Sequence, residues 1–189
     1  MLHRITLTAQ RLTDDRGLDG FTMDDLAAAV DVSRRTLFNY YPSKVDAVLG
    51  PDPDLDDEVW ATFVAGGPYG DLVEDLIALA AHVLEAKTLT REELALGRRV
   101  MLAEPRLLAA VHERLASVSA DLGALLVART GEKLDLATAQ LLVRVLAATF
   151  DCALDRALSD DTLAADAMPQ LVAENIRALR DLFTGAYGT

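Results

Sequence analysis

The chain has 189 residues and a single cysteine, Cys152, so it holds no internal disulfide and is read as belonging to a reducing, cytoplasmic compartment. Met1-Leu2-His3-Arg4 leads into a mixed polar stretch without the apolar core of a secretory signal. The longest run free of Asp, Glu, Lys and Arg is the twelve residues from Val59 to Gly70, which the adjacent Gly66 and Gly67 and Pro68 interrupt. Because a spanning helix needs about 20 apolar residues, no membrane segment is expected. Strand signals are also scarce: no sustained two-residue alternation and no Asn-Gly or Asp-Gly hairpin turn lies between β-branched runs. Catalytic signatures are missing as well. There is no glycine-rich phosphate loop after a strand, no G-x-S-x-G elbow and no His-Glu-x-x-His pair. Asp151 and Asp155 share a helix face but read as a solvated stripe rather than an acid–base pair. His3, His82 and His112 are too scattered to suggest a metal site by local spacing. Neither metal nor cofactor is expected, and the chain does not read as an enzyme.

What is present is a globular composition, 51% hydrophobic against 25% charged, sufficient to offset the entropy lost on folding. Eighteen Lys and Arg against 30 Asp and Glu give a net charge of −12. The excess is segregated. Residues 1 to 45 carry six bases (Arg4, Arg11, Arg16, Arg34, Arg35, Lys44) and six acids (Asp14, Asp15, Asp19, Asp24, Asp25, Asp31), so the whole excess lies beyond them. Such asymmetry between segments points to different partners.

Helix signals run the length of the chain, and the fold class is all-α. Ile5, Ala9 and Leu12 lie at helical spacing and stop at Gly17. Thr22 with Asp25 resembles a capping box for residues 23 to 30, Ser33 is an N-cap for 34 to 41, and Ser43 with Asp46 starts another helix. After Gly50, Pro51 and Pro53 the pattern resumes over about 54–65, 70–86, 91–103, 105–129, 135–158 and 167–186. The acids Asp52, Asp54, Asp56, Asp57 and Glu58 lack the spacing of a calcium loop and suit a helix N-terminus. In 135–158 the polar residues Gln140, Arg144, Asp151 and Asp155 form one stripe on an otherwise apolar helix; 167–186 places Leu171, Val172, Ile176, Leu179 and Phe183 on one side. Two such helices suit a homodimer built on a four-helix bundle, two helices from each chain.

The most informative stretch runs from Thr22 to Lys44: a two-turn helix, the turn Val30-Asp31-Val32-Ser33, then Arg34-Arg35-Thr36-Leu37-Phe38-Asn39-Tyr40-Tyr41. It has the layout of a helix-turn-helix. Leu26, Val30 and Leu37 would pack the two helices together and leave Arg34, Arg35 and Asn39 exposed. Arginine bonds bidentately to guanine and asparagine to adenine, while threonine reaches a thymine methyl.

The head resembles that of the TetR family of transcriptional regulators. The matching pieces are Arg4 and Ile5 with Ala9, Leu12 and Gly17, then Phe21-Thr22-Met23, Asp25-Leu26-Ala27, Val32-Ser33, Thr36-Leu37-Phe38 and Tyr40-Tyr41-Pro42-Ser43-Lys44. Two residues depart from the pattern: Asp31 stands where the family has glycine in the turn, and Phe38 where it has tyrosine, so Phe38 is read as a packing residue. The resemblance implies a three-helix DNA-binding domain over residues 1–48 and an effector-binding and dimerisation domain over 49–189. It implies double-stranded DNA with a pseudo-palindromic operator as partner, and release from that operator when a small ligand binds. Carried over by position, Arg34, Arg35, Thr36 and Asn39 would face bases, while Thr22, Ser33, Tyr40 and Lys44 would hold phosphates; Tyr41 would pack inside.

The effector pocket would lie among the central helices, with Trp60, Phe63, His82, Met101 and Phe150 as candidate lining residues and a small hydrophobic molecule as effector. His82, among Leu79, Val83 and Leu84, reads first as a bonded core histidine and second as a polar group in a pocket. The alternative from another functional class is a helical dimer that sequesters a ligand or binds a protein and no longer grips DNA, for which Asp31, Phe38 and the acidic balance argue.

Overall fold

In the computed structural model, residues 1–52, 57–85, 89–131, 133–164 and 166–185 are described. Among them lie ten α-helices and no strand: α1 (Leu2–Arg16), α2 (Met23–Ala29), α3 (Arg34–Tyr40), α4 (Lys44–Leu49), α5 (Asp57–Val64), α6 (Leu72–Glu85), α7 (Arg91–Ala103), α8 (Pro105–Arg129), α9 (Leu136–Ser159) and α10 (Met168–Phe183). The all-α reading holds, and the expected starts and stops fall within a few residues of these. The expected start at Asp54, with Asp56, lies outside the described residues, while Asp57 and Glu58 occupy the first turn of α5.

The chain forms two compact units, Met1–Pro53 with Glu92–Arg114, and Asp54–Arg91 with Leu115–Thr189. In the first, α1 stops because Gly17 adopts φ +73°, a backbone conformation that glycine reaches without a Cβ clash, and its N–H caps the Thr13 carbonyl. Ile5, Ala9 and Thr13 form the buried face of α1. They join Phe21, Leu26, Leu37, Tyr41 and Val48, together with Leu96, Val100 and Leu107 of α7 and α8. Polar pins from α1 locate the other helices: Arg4 donates to the Val30 carbonyl (2.8 Å), Thr6 shares a hydrogen bond with the Tyr41 hydroxyl (3.0 Å), and Gln10 donates to the Val48 carbonyl (3.0 Å). From α7 and α8, Arg99 grips Asp14, Arg106 grips Asp19 and Glu104, and Arg114 bonds the Gly50 carbonyl and Asp52.

The second unit is built on Phe63, Leu76, Leu79, Leu126, Ala139 and Val143. Helix α10 packs on α6 and α9 through Met168, Leu171, Val172, Ala173 and Ile176. Phe183, expected on that apolar side, is instead 82% exposed at the end of α10. Arg91 bonds the Asp160 carbonyl (2.6 Å) and the Asp161 carboxylate (3.1 Å), tying the start of α7 to the end of α9.

The expectation of no membrane-length segment needs correction, because α9 is long and apolar enough to cross a membrane by length and composition. Charge-free runs were too strict a measure: residues 136–153 of α9 carry only Arg144 and Asp151, although the full helix also holds Asp155 and Arg156. Either charge at a bilayer centre would cost about 2.5–3.5 kcal/mol on insertion scales.

The most deeply buried charges in this unit are Asp75 of α6 and Arg129 of α8, whose side chains are 0% and 6% exposed and bonded to each other. Asp75 also accepts from the Tyr69 N–H (2.6 Å), and Arg129 donates to the carbonyls of Phe63 and Gly67 with its guanidinium 4.6 Å from the Phe63 ring centroid. Removing one partner strands the other. Asp75→Ala or Arg129→Ala is expected to cost about 3–5 kcal/mol in urea unfolding, and Asp75→Leu combined with Arg129→Met to recover most of that loss. A double variant no more stable than either single one would refute the pair as the unit of this effect.

Candidate nucleic-acid interface

Local chemistry positions the helix-turn-helix. Thr22 caps α2 reciprocally: its hydroxyl accepts from the Asp25 N–H (3.1 Å), and the Asp25 carboxylate accepts from the Thr22 N–H (2.8 Å) and hydroxyl (2.8 Å). The chain then turns through Asp31, whose φ of 53° is left-handed, and the Val32 N–H returns to the Ala27 carbonyl (3.0 Å). Ser33 caps α3 by accepting from the Thr36 N–H (3.0 Å), and its hydroxyl meets that of Thr36 (2.7 Å).

Leu37 is fully buried and anchors α3, which leaves Arg34, Arg35, Phe38, Asn39 and Tyr40 exposed. Arg34 donates to Asp24 of α2 (3.1 Å) and lies 5.4 Å from the Phe38 ring centroid. Among the described residues, Arg35, Asn39 and Tyr40 have no side-chain partner. Phe38 is 40% exposed, so the packing expectation is corrected: one helical turn beyond Arg34, its ring points out beneath a guanidinium rather than inward. Tyr41 is buried, as expected.

Lys44 is held inside the head. Its ammonium donates to the Leu18 carbonyl (2.6 Å) and the Phe21 carbonyl (2.7 Å) and lies 5.1 Å from the Phe21 ring centroid. Thr22 and Ser33 are likewise engaged in capping. Of the residues expected at phosphates, Tyr40 alone has no described side-chain partner.

Residues 5–48 match the family model described as bacterial regulatory proteins, tetR family. The head is that of the tetR family of bacterial regulatory proteins, which supports a DNA-binding role in transcription. Comparison with curated proteins finds no match.

The candidate effector residues are not gathered at one place. Phe63 and His82 line a cleft of ≈ 340 Å³ between α5 and α6, with Val59, Pro68, Ala78 and Leu79 supplying apolar wall and Glu58 and Thr62 at its sides. Trp60 packs against the same core; Phe150 is exposed on α9; Met101, partly buried, packs against the core of the first unit. His82 is exposed and has no described bond, which corrects the reading of a bonded core histidine. Its apolar sequence neighbours turn inward while His82 stays at the cleft.

The electrostatics of the TetR-type head are those of satisfied carboxylates. Hydrogen bonds from Arg99, from Arg106 and from the Thr22 hydroxyl hold Asp14, Asp19 and Asp25 respectively below the usual aspartate range. Groups depressed in this way stabilise the fold above their unfolded pKa, near 3.8, and lose that contribution as pH falls through their lower folded values. Helical circular dichroism of the head should therefore hold steady from neutral pH to about 4 and decline below it. Decline beginning near pH 6 would contradict the assignment.

Asp31 gives a second check. A β-branched residue tolerates left-handed backbone poorly, so Asp31→Val should lower stability by about 1–2 kcal/mol. Asp31→Gly should not. Equal losses in thermal melts of the two variants would mean that the turn does not depend on this conformation.

Proposed function

We propose that the protein is a homodimeric, ligand-responsive repressor that leaves a pseudo-palindromic operator when a small hydrophobic effector binds. The observation that carries the reading is α3: a fully buried Leu37 behind an outward face of Arg34, Arg35 and Asn39, the side chains that pair with guanine and adenine edges. Thr36 would add a contact to a thymine methyl, and Tyr40 a phosphate contact. Thr22, Ser33 and Lys44 would reach phosphates only with the donor capacity that capping and loop bonds leave them.

In this reading residues 1–48 bind DNA and residues 49–189 bind the effector and form the dimer. The homodimer would use the two C-terminal helices; its support is the apolar side chains that α9 leaves exposed, Leu136, Leu141 and Phe150, and those at the end of α10, Leu182 and Phe183. Its two-fold axis would place half-sites about one helical turn or a multiple apart on one face of the duplex. The effector would enter the cleft at Phe63 and His82, whose volume lies at the lower end of the range for small-molecule sites. Trp60 would border the bound molecule. The effector shifts DNA affinity only through its different affinity for the two arrangements of the dimer. The protein would act in the cytoplasm by binding, without turnover.

The test is selection of genomic fragments by the purified full chain across a salt series, with sequencing of the retained DNA. One pseudo-palindromic motif with guanines in each half-site is expected. Arg34→Ala with Arg35→Ala should weaken binding to it by about 100-fold or more while sedimentation still reports a dimer. Weak, sequence-indifferent retention unaffected by those substitutions would favour the sequestering module instead.

A further inference from the structure

We infer that Asp24 and Phe38 are positioning residues that bias Arg34 towards one pose, making it the arginine that sets the base demanded at one position of each half-site. The inference rests on the DNA-binding reading of α3 and concerns how that helix discriminates rather than whether it binds.

The two arginines at the start of α3 are adjacent in sequence and differ in their surroundings. Arg34 is constrained twice. Nη1 donates to Asp24 Oδ2 at 3.1 Å, and the guanidinium carbon lies over the Phe38 ring, one helical turn along, 5.4 Å from its centroid. Arg35 has neither an ion-pair partner nor a ring among the described residues.

Neither constraint is explained by stability. The Arg34–Asp24 pair is open to water, with side chains 67% and 60% exposed, and such pairs contribute little to folding. Phe38, at 40% exposure, leaves much of its apolar surface wet. What the two contacts do is order a long, rotamer-rich side chain before DNA arrives, which lowers the entropy lost on binding. One hydrogen bond to Asp24 uses one of five guanidinium N–H groups, leaving the Nη2 and Nε side of the fork for a bidentate acceptor such as guanine O6 and N7.

The Asp24 carboxylate also cancels the charge that Arg34 would bring to the phosphates. Arg34 therefore adds little to counterion release, and base discrimination separates from salt dependence. An arginine that only held phosphate would gain nothing from an acid at its side.

The experiment selects from a randomised duplex library with the full-length protein and its Asp24→Asn, Phe38→Leu and Phe38→Tyr variants, then measures affinity against salt for the chosen site and for single-base changes in it. The wild type is expected to demand guanine at one position that Arg34→Ala relaxes and Arg35→Ala does not. Asp24→Asn should reduce that preference about fivefold or more, since a free arginine retains only part of a bidentate contact. It should also steepen the salt slope by about one unit, because an unpaired Arg34 now meets phosphate. Phe38→Leu should weaken the preference with the slope unchanged, and Phe38→Tyr, which keeps the ring, should restore it. An unchanged guanine preference in both Asp24→Asn and Phe38→Leu, on a site the wild type selects strongly, overturns the positioning role and leaves the DNA-binding reading standing. Failure of the wild type to select any motif overturns both.

Discussion

What α3 presents depends on how the chain passes from Val30 to Ser33. Three constraints meet in those four residues. Arg4 of α1 takes the Val30 carbonyl, Asp31 turns the backbone left-handed, and Ser33 fixes the first turn of α3 through the Thr36 N–H. A residue forced out of the left-handed region at Asp31 would redirect the chain before the cap is reached, and Leu37 would lose its register with Leu26 and Val30. Aspartate tolerates this conformation better than most residues do, at some cost relative to glycine. Arg4 contributes from outside the turn, since its bond fixes the point at which the turn begins. The same helix α1 fixes the far end of α3 through Thr6 and Tyr41, so α3 is held at both ends by one element.

The helices and their caps were legible in the sequence because they are local. Thr22 with Asp25, Ser33, and Ser43 with Asp46 each satisfy an N–H only three residues away, and all three caps formed where the spacing predicted. The periodicity of α8 and α9 survives in sequence for the same reason. What the sequence did not disclose are meetings between distant residues. Asp75 and Arg129 lie 54 residues apart, and nothing in either neighbourhood announces a buried ion pair. Arg99 and Arg106 likewise close on Asp14 and Asp19, 85 and 87 residues away in sequence.

The misread positions share a cause. Phe38 is read as packing for want of the hydroxyl of the family's tyrosine, and His82 as a core residue from its apolar neighbours; neither reading follows the helix face, and both residues lie where a face turns to solvent. On α3 a step of one residue, about 100° of rotation, decides whether an aromatic packs or projects; Leu37 takes the inward position and Phe38, the next residue, cannot share it. The pocket candidates failed to converge for a related reason. Aromatic and methionine side chains enrich any helical interior, so residue type alone cannot separate Phe63, which lines a cleft, from Met101, which packs against the first unit's core.

Lys44 shows why position within a motif does not settle a residue's role. Its ammonium is committed to the carbonyls of Leu18 and Phe21, near the two ends of the connection between α1 and α2, so its charge is spent on fixing the frame from which Thr22 starts α2. Arg99, Arg106 and Arg114 are similarly committed to Asp14, Asp19 and Asp52. Over the whole first unit ten bases stand against twelve acids, so little net attraction to DNA remains at long range. Such a unit gains only a weak hold on arbitrary duplex from charge. Its affinity must come from a few side chains already in the right place, and that makes the ordering of Arg34 matter more here than it would on a strongly basic head.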